Sequence, residues 1–369
     1  MLIILHAEMQ KEKNIMTKIV KEKLSIKSKE IIPIFFASDD NYIPCLSVAI
    51  RSMINNASKD YNYEIYILNN GVSKDKADII LRMQNENFEI KFIDVSEKIK
   101  PIIADLGLRD YYTVAIYFRI FIASMFKNYK KALYLDCDIV VLGDISELYH
   151  TDLGDNIMGA IPDQIIASRK VYRDYSEKAL GLDYRKYFTS GILVINLDAF
   201  RMHEIEKKFV HILKEYNFST IAPDQDYLNF LCKGKTKLLD ISWNKHCLRD
   251  GYNKRPNIVH YAFFKKPWTD YFIKFERFFW QYAKKVEFYD YLVNFRKEFK
   301  LSKRISNEVA IQKLERKARE IYKSDYNFHK ILEKPFIQKE NVLQCAEEDE
   351  NLFDIDGVCV NEQSKLVTR

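Results

Sequence analysis

Apolar and polar positions follow two regimes along the first 200 residues. "IIPIFFAS", starting at Ile31, is a short continuous apolar run rich in β-branched and aromatic residues, which predicts a buried strand. A polar turn, "DDNY", follows it, and apolar residues then recur at helical spacing from Ile43 to Ile54. "YEIYILNN" predicts a second strand, Lys74–Met83 a helix and "FEIKFIDV" a third strand. Tyr112–Phe126 reads as helical, "KALYLD" as a fourth strand, and "NIMGAIPD" and "GILVINL" as further strands separated and followed by helical patterns. Strands alternating with helices predict an α/β fold, a mostly parallel sheet with helices on both faces. Ligands of such sheets bind beyond the carboxyl ends of the strands. Asp39, Asp136 and Asp163 each fall at such an end.

Beyond residue 265 the pattern changes. Lys265–Arg304 carries 13 aromatic and 11 basic residues among 40, against 5 acidic ones. Ser302–Lys323 is a charged helical pattern, and the closing stretch with "EEDENLFDID" lacks the apolar content to pack. The expected organisation is a basic arm over 1–30, a main domain over 31–268, an aromatic and basic helical extension over 269–323, and a partly disordered tail over 324–369.

Composition narrows the function classes. A net charge of +6 on 369 residues argues against a general nucleic-acid binder, while leaving room for a local basic surface. None of the six cysteines forms a C-x-x-C pair, so neither a zinc ribbon nor a thioredoxin motif is indicated, and scattered thiols fit a reducing cytoplasm. The first twenty residues hold only a short apolar run, and no window approaches the ~18 apolar residues of a membrane span. The expectation is a cytoplasmic protein, soluble or peripheral on a membrane.

The chemistry concentrates at "KALYLDCDIVVLGDI", where Asp136 and Asp138 close an apolar run. Residues two apart on an extended chain point the same way, so both carboxylates can face one ion. Carboxylate oxygens at a strand end, with positions open for phosphate oxygens, suit Mg²⁺ or Mn²⁺. The bland alternative is a solvated acidic turn. Asp39 and Tyr42 in "SDDNY" could meet a base or ribose, or Asp39 could cap a helix. Asp224 and Gln225 in "PDQDYLNFL" open another helical pattern, with Asp224 readable as its cap. In "IVHYAFFKKPW", His260 follows a short apolar strand and Lys266 precedes Pro-Trp; a His can complete a mixed oxygen and nitrogen metal site, and a Lys can meet a phosphate.

Taken in order, "FFASDDNY", "YFRIFIASMF", "KALYLDCDIVV", "LGDNIMGAIPD", "YFTSGILVINLDAF", "PDQDYLN" and "HYAFFKKPW" resemble the retaining glycosyltransferases of family 8, from about Ile32 to about Trp268. That family includes bacterial lipopolysaccharide galactosyl- and glucosyltransferases and glycogenin. The resemblance implies a Rossmann-like nucleotide-sugar fold of the glycosyltransferase A type. It implies that Asp136, Asp138 and His260 bind Mn²⁺ and that Ala37, Asp39, Asn41 and Tyr42 hold the uracil and ribose of a UDP-sugar. By the same resemblance Arg119 contacts donor sugar and phosphate, Asp163, Asp224 and Gln225 the donor sugar, and Lys266 the diphosphate. Two positions depart from the family pattern. Thr189 stands where many members carry Asn, and Phe263 where many carry Gly.

The expected activity is transfer of glucose or galactose from UDP to a glycan, with lipopolysaccharide or another lipid-linked glycan as acceptor. The basic, aromatic extension then suggests docking on an anionic membrane. Two rivals remain: a binding module that kept the fold and lost turnover, and a haloacid dehalogenase-type phosphohydrolase, in which the first Asp of "LDCDIV" would be a covalent nucleophile.

Overall fold

Strand β1 (Ile31–Ala37) is apolar on both faces because both are covered. Phe35 enters one apolar cluster, while Ile34 and Phe36 enter a second on the opposite side. The computed structural model of the chain describes residues 29–106, 114–247, 255–299 and 301–333. The further strands are β2 (Asn62–Asn69), β3 (Phe88–Asp94), β4 (Lys131–Leu135), β5 (Ile139–Val141), β6 (Met158–Pro162), β7 (Phe188–Asn196), β8 (Thr236–Leu238), β9 (Lys245–His246) and β10 (Ile258–His260). Seven form the main sheet, in the order β3-β2-β1-β4-β7-β6-β8, and β5, β10 and β9 form a small second sheet.

The main sheet is parallel except at β7, which runs antiparallel to both neighbours, β4 and β6. This reversal matters for the site. The start of β7 lies beside the carboxyl ends of β4 and β6, so Thr189, Ser190 and Gly191 meet Asp136 and Asp163 at one edge. Asp136 N donates to Gly191 O at 2.8 Å, and Asp163 N to Tyr187 O at 2.9 Å.

The segment expected as one helix over Tyr112–Phe126 is a 3₁₀ run, Val114–Phe121, followed by a single α-turn, Ile122–Met125; residues 112 and 113 lie outside the described residues. A long 3₁₀ run is uncommon and often marks a functional segment. Here it delivers Arg119, whose Nε donates to Ile116 O three residues back at 2.9 Å.

The aromatic extension divides its contacts. Phe279, Tyr282, Phe288 and Leu292 are buried in the cluster that holds the helix Ile43–Asn56, and Asn56 Nδ2 donates to Tyr282 OH at 2.7 Å. Phe272, by contrast, is 95% exposed and lies outside the helix Glu276–Ala283. Tyr291 and Phe295 are also exposed. The long helix Leu301–Lys323 buries Ala318 and Ile321, and the helix Phe328–Leu332 buries Phe328 and Leu332 in the main core. The described start of the expected tail is therefore packed: Phe328 meets Phe218, Tyr227 and Phe230, and these contacts offset the chain entropy of a short helix. Residues 1–28 and 334–369, which hold most of the expected arm and tail, lie outside the described residues.

Among the described residues no helix is long and apolar enough to cross a membrane. Cys45, Cys137, Cys232 and Cys247 are buried free thiols.

Candidate functional site

Where β4 leaves the main sheet, the chain passes through Asp136, Cys137 and Asp138 and enters the second sheet as β5. Cys137 points away, its thiol 3.1 Å from Ala37 O, so the carboxylates on either side share the opposite face. β5 pairs antiparallel with β10, and the register sets His260 opposite Ile139, the residue after Asp138. Tyr261 N donates to Asp138 O at 2.9 Å and locks that alignment. His260 Nε2 consequently lies 3.0 Å from Asp138 Oδ1 and 3.7 Å from Asp136 Oδ2. Ligand atoms of the three residues all lie within 4.8 Å of one another.

The donor set fits a divalent cation. His260 Nδ1 is 2.8 Å from Asn244 Oδ1. An amide oxygen only accepts, so Asn244 favours a hydrogen on Nδ1, and a neutral ring in that tautomer offers a lone pair at Nε2, where Asp138 Oδ1 lies 3.0 Å away. Nε2 and two carboxylates converge, which is a mixed nitrogen and oxygen set for Mn²⁺ or Mg²⁺. Gly191 provides the room: a Cβ there would come within 2.5 Å of Asp136 Oδ2 and 2.6 Å of His260 Cε1.

Two buried cations flank the triad. Lys266 Nζ lies 2.5 Å from Asp138 Oδ2. Burial alone would raise the Asp138 carboxyl, but Lys266 and His260 outweigh it and hold the group well below the usual carboxylate range. Burial likewise opposes the charge on Lys266, and Asp138 reverses this, so the ammonium stays protonated. Arg119, 4% exposed, reaches Asp136 Oδ1 with Nη2 at 2.9 Å and ion-pairs with Asp224 Oδ2 through Nε at 3.2 Å. Its guanidinium stacks 4.2 Å from the Tyr134 ring centroid, and its Nη1 donates to Ser190 O at 2.5 Å.

A third group lies beside these. Gln225 Oε1 accepts from Ser190 N at 2.9 Å, and its Nε2 donates to Asp163 Oδ2 at 2.9 Å, so both ends of the amide are fixed. Asp163 Oδ1 also accepts from Ile165 N and Ile166 N at 2.6 and 2.9 Å. Burial raises the carboxyls of both Asp163 and Asp224, against these donors in one case and Arg119 in the other. Asp224 is not a helix cap. Ala222 holds that position and Pro223 starts the helix, so Asp224 sits one residue inside it and turns to Arg119. Asp226 is structural. It accepts from the hydroxyls of Tyr175 and Tyr187 at 2.8 and 2.7 Å, and burial still pushes it up to about 6.

One cavity is lined by Ala37, Asp39, Tyr42, Arg119, Asp136, Asp138, Asp163, Thr189, Asp224, Gln225, His260 and Lys266. Of the residues singled out from the sequence, Asn41 alone is not among those lining it; Asn41 N and Tyr42 N donate to Asp39 Oδ1 at 2.9 and 3.1 Å, which fixes the loop. Asp39 thus braces the turn before the helix; Tyr42 occupies the N-cap position, with no side-chain hydrogen bond to the helix. Thr189 Oγ1 is 3.4 Å from Gly191 N. Phe263 lines the cavity at φ +70°, so the backbone keeps a glycine-type conformation while carrying a phenyl ring. Asn244 and His246 also line it and were missed in the sequence. Asn244 closes the 3₁₀ turn Ile241–Asn244 and His246 ends the two-residue strand β9, both too short to show a period.

The description of glycosyl transferase family 8 matches residues 33–271. The chain belongs to that family. The lipopolysaccharide 1,2-glucosyltransferase of Escherichia coli is 26% identical over 66% of this chain and 75% of its own length. A Haemophilus influenzae protein with a glycosyltransferase name is 32% identical over 57% of this chain; the match spans 62% of that relative, less than two thirds of it. An active-site Gln-to-Glu mutant of LgtC has a TM-score of 0.60 at 26% identity, over 69% of this chain and 96% of that one. The bifunctional glycosyltransferase WbbM gives a TM-score of 0.65 at 23% identity over 74% of this chain and 53% of its own, a likeness of fold. Membership in family 8 displaces the phosphohydrolase reading of the two aspartates.

Proposed function

We propose that this family 8 member is a retaining hexosyltransferase that moves glucose or galactose from a UDP-sugar to a glycan acceptor, with Mn²⁺ or Mg²⁺ at Asp136, Asp138 and His260. The observation that carries the reading is the convergence of an imidazole nitrogen and two carboxylates beside Lys266 and Arg119 in one cavity. The nucleotide's base and ribose fit beside Ala37, Asp39 and Tyr42, where Tyr42 is still 37% exposed and free to meet a ring. Lys266 is placed for the diphosphate and Arg119 for the phosphate and sugar.

A divalent cation here would supply Lewis-acid stabilisation of the charge that develops on the departing diphosphate. Lys266 adds a fixed positive charge at the same end. In the transfer the bond from the sugar's anomeric carbon to the phosphate oxygen breaks, and its electron pair stays on that oxygen. The acceptor hydroxyl oxygen bonds to the anomeric carbon, and its proton passes to the leaving phosphate. The sugar becomes oxocarbenium-like on the way. The Gln225 amide is a poor nucleophile and is held at both ends, so its role is to orient the sugar. Attack on the same face as departure accounts for retention without a covalent enzyme intermediate.

The test is a screen of UDP-sugars for Mn²⁺-dependent hydrolysis and for transfer to glycan acceptors. Hydrolysis of UDP-glucose or UDP-galactose is expected, abolished by chelator. Gln225→Ala should lower transfer far more than UDP affinity, since UDP has no sugar. Equal losses in both would count against the sugar role, and no turnover with any UDP-sugar would favour a binding module.

A lipid-linked glycan acceptor makes membrane docking useful, and the exposed Tyr271, Phe272, Tyr291 and Phe295 lie among basic residues. Arg296 is not free for this role: it pairs with Glu276 at 2.5 Å and stacks on Tyr271 at 4.0 Å. The exposed Lys284, Lys285 and Lys297 are the better candidates, each contributing on the order of 1 kcal/mol near an anionic surface. Co-sedimentation with phosphatidylglycerol vesicles at low salt, lost at high salt and weakened by Phe272→Ser with Lys284→Glu and Lys285→Glu, is the expected result. Intact protein remaining in the supernatant at low salt would sink it.

A further inference from the structure

Asn244 closes the 3₁₀ turn Ile241–Asn244 and is 3% exposed. Asp240 starts that turn by accepting from Ser242 N at 2.8 Å. The backbone oxygen of Asn244 accepts from Gln164 Nε2 at 2.6 Å, and its side-chain oxygen faces His260 Nδ1 at 2.8 Å. Gln164 is itself buried and follows Asp163 at the end of β6. A side chain fixed in this way from the main sheet is aimed at the histidine of the second sheet.

We infer that Asn244 is a positioning residue for His260, selecting the tautomer that can bind a metal. The inference rests on the metal reading above. A neutral imidazole carries one N–H, on either nitrogen. Two carboxylates face Nε2, at 3.0 and 3.7 Å, and both favour a hydrogen on that nitrogen. With the hydrogen there, His260 would donate to Asp138 and close the triad to a cation. Asn244 Oδ1 competes for the same hydrogen from the other side of the ring. By holding it on Nδ1, it leaves Nε2 as a lone pair and fixes the plane of the ring. Hydrogen-bond partners of this kind behind a metal-ligating histidine typically matter by 10–100-fold in metal affinity.

The experiment compares the full-length wild type with Asn244→Leu and Asn244→Asp. Mn²⁺ is titrated alone, without nucleotide, and followed by calorimetry, and the tautomer of His260 is read from ¹⁵N shifts of the metal-free proteins. Asn244→Leu should weaken Mn²⁺ binding by about 10–100-fold and move the hydrogen from Nδ1 to Nε2. Asn244→Asp, which still accepts, should bind Mn²⁺ at least as well as the wild type with the hydrogen on Nδ1. A purely structural role would not move the tautomer and would not be rescued by Asp. Should Asn244→Leu not fold, Asn244→Asp against Asn244→Ala gives the same contrast, since Ala also offers no acceptor. Wild-type affinity in Asn244→Leu, or equal loss in Asn244→Asp, overturns the inference while leaving the metal site intact. A wild type that binds no Mn²⁺ overturns the metal reading and this inference with it.

Discussion

Asp138→Asn is expected to lower Mn²⁺-dependent turnover of a UDP-hexose by at least about 100-fold, since a loss of about 3 kcal/mol in transition-state stabilisation suffices for that. The substitution keeps the shape of the side chain and leaves an oxygen for the buried Lys266 ammonium, so the fold should survive. It removes the charge that holds the cation against His260. Gly191→Ala should produce the same loss by another route: no ligand is altered, but a methyl group 2.5 Å from Asp136 Oδ2 takes the room between the ligands. Titration calorimetry with Mn²⁺ and thermal melting, run on both variants, separate loss of the ion from loss of the fold. Full activity of Asp138→Asn, or of wild type in excess chelator, would rule out the metal assignment.

The second large effect concerns stability. Arg119→Met should destabilise the protein by about 3–5 kcal/mol at neutral pH, because it strips the shared cation from two carboxylates. Asp136 and Asp224 both rely on that guanidinium, which is buried and held charged: burial works against the charge, and the two aspartates more than restore it. Burial already raises the Asp224 carboxyl against the pull of Arg119, and without that cation its folded-state pKa rises further. Such a group stabilises below its unfolded pKa and loses that contribution as pH rises through the folded value. The deficit of Arg119→Met should therefore shrink as pH falls toward 4. Mn²⁺ should restore part of the loss at pH 7 by neutralising Asp136, and adding Asp224→Asn should restore more. Urea unfolding at several pH values measures all three. A change below 1 kcal/mol would mean that solvent reaches these carboxylates far more freely than their burial implies.

Much of this site is legible in the chain. β1 to β4 announce themselves by apolar runs bounded by polar turns, and the two aspartates two residues apart mark the end of β4. The order of motifs from Phe35 to Trp268 carries the family. Other features are not encoded locally. The reversal of β7 leaves no trace in its apolar run, because such a run has the same pattern in either direction. β5, β9 and β10 are two or three residues long, and their pairing alone brings His260 to Asp138. Asp224 looks like a cap because Asp favours helix starts, but Pro223 takes the first helical position and shifts it inward. Asn244 acts through a partner 16 residues away and belongs to no periodic element. The extension shows the same limit: it reads as aromatic and helical from residue 269, yet Phe272 lies outside the helix Glu276–Ala283, at φ +61°.

The meeting of the two sheets has a consequence for the time course of synthesis. Asp138 and His260 are 122 residues apart in the chain. At roughly 5–20 residues per second, the ribosome needs about 6–24 s to travel from one to the other. For that interval Asp136 already has Arg119, while Asp138 has neither His260 nor Lys266, and β5 has no partner strand. The nascent chain can build β1 to β4 and the Arg119–Asp136 pair early, but Asp138 lacks its partners until β10 and Lys266 emerge. The three-residue cluster is thus completed in one late step, and a polypeptide released before residue 258 would carry the main sheet and both aspartates but neither His260 nor Lys266.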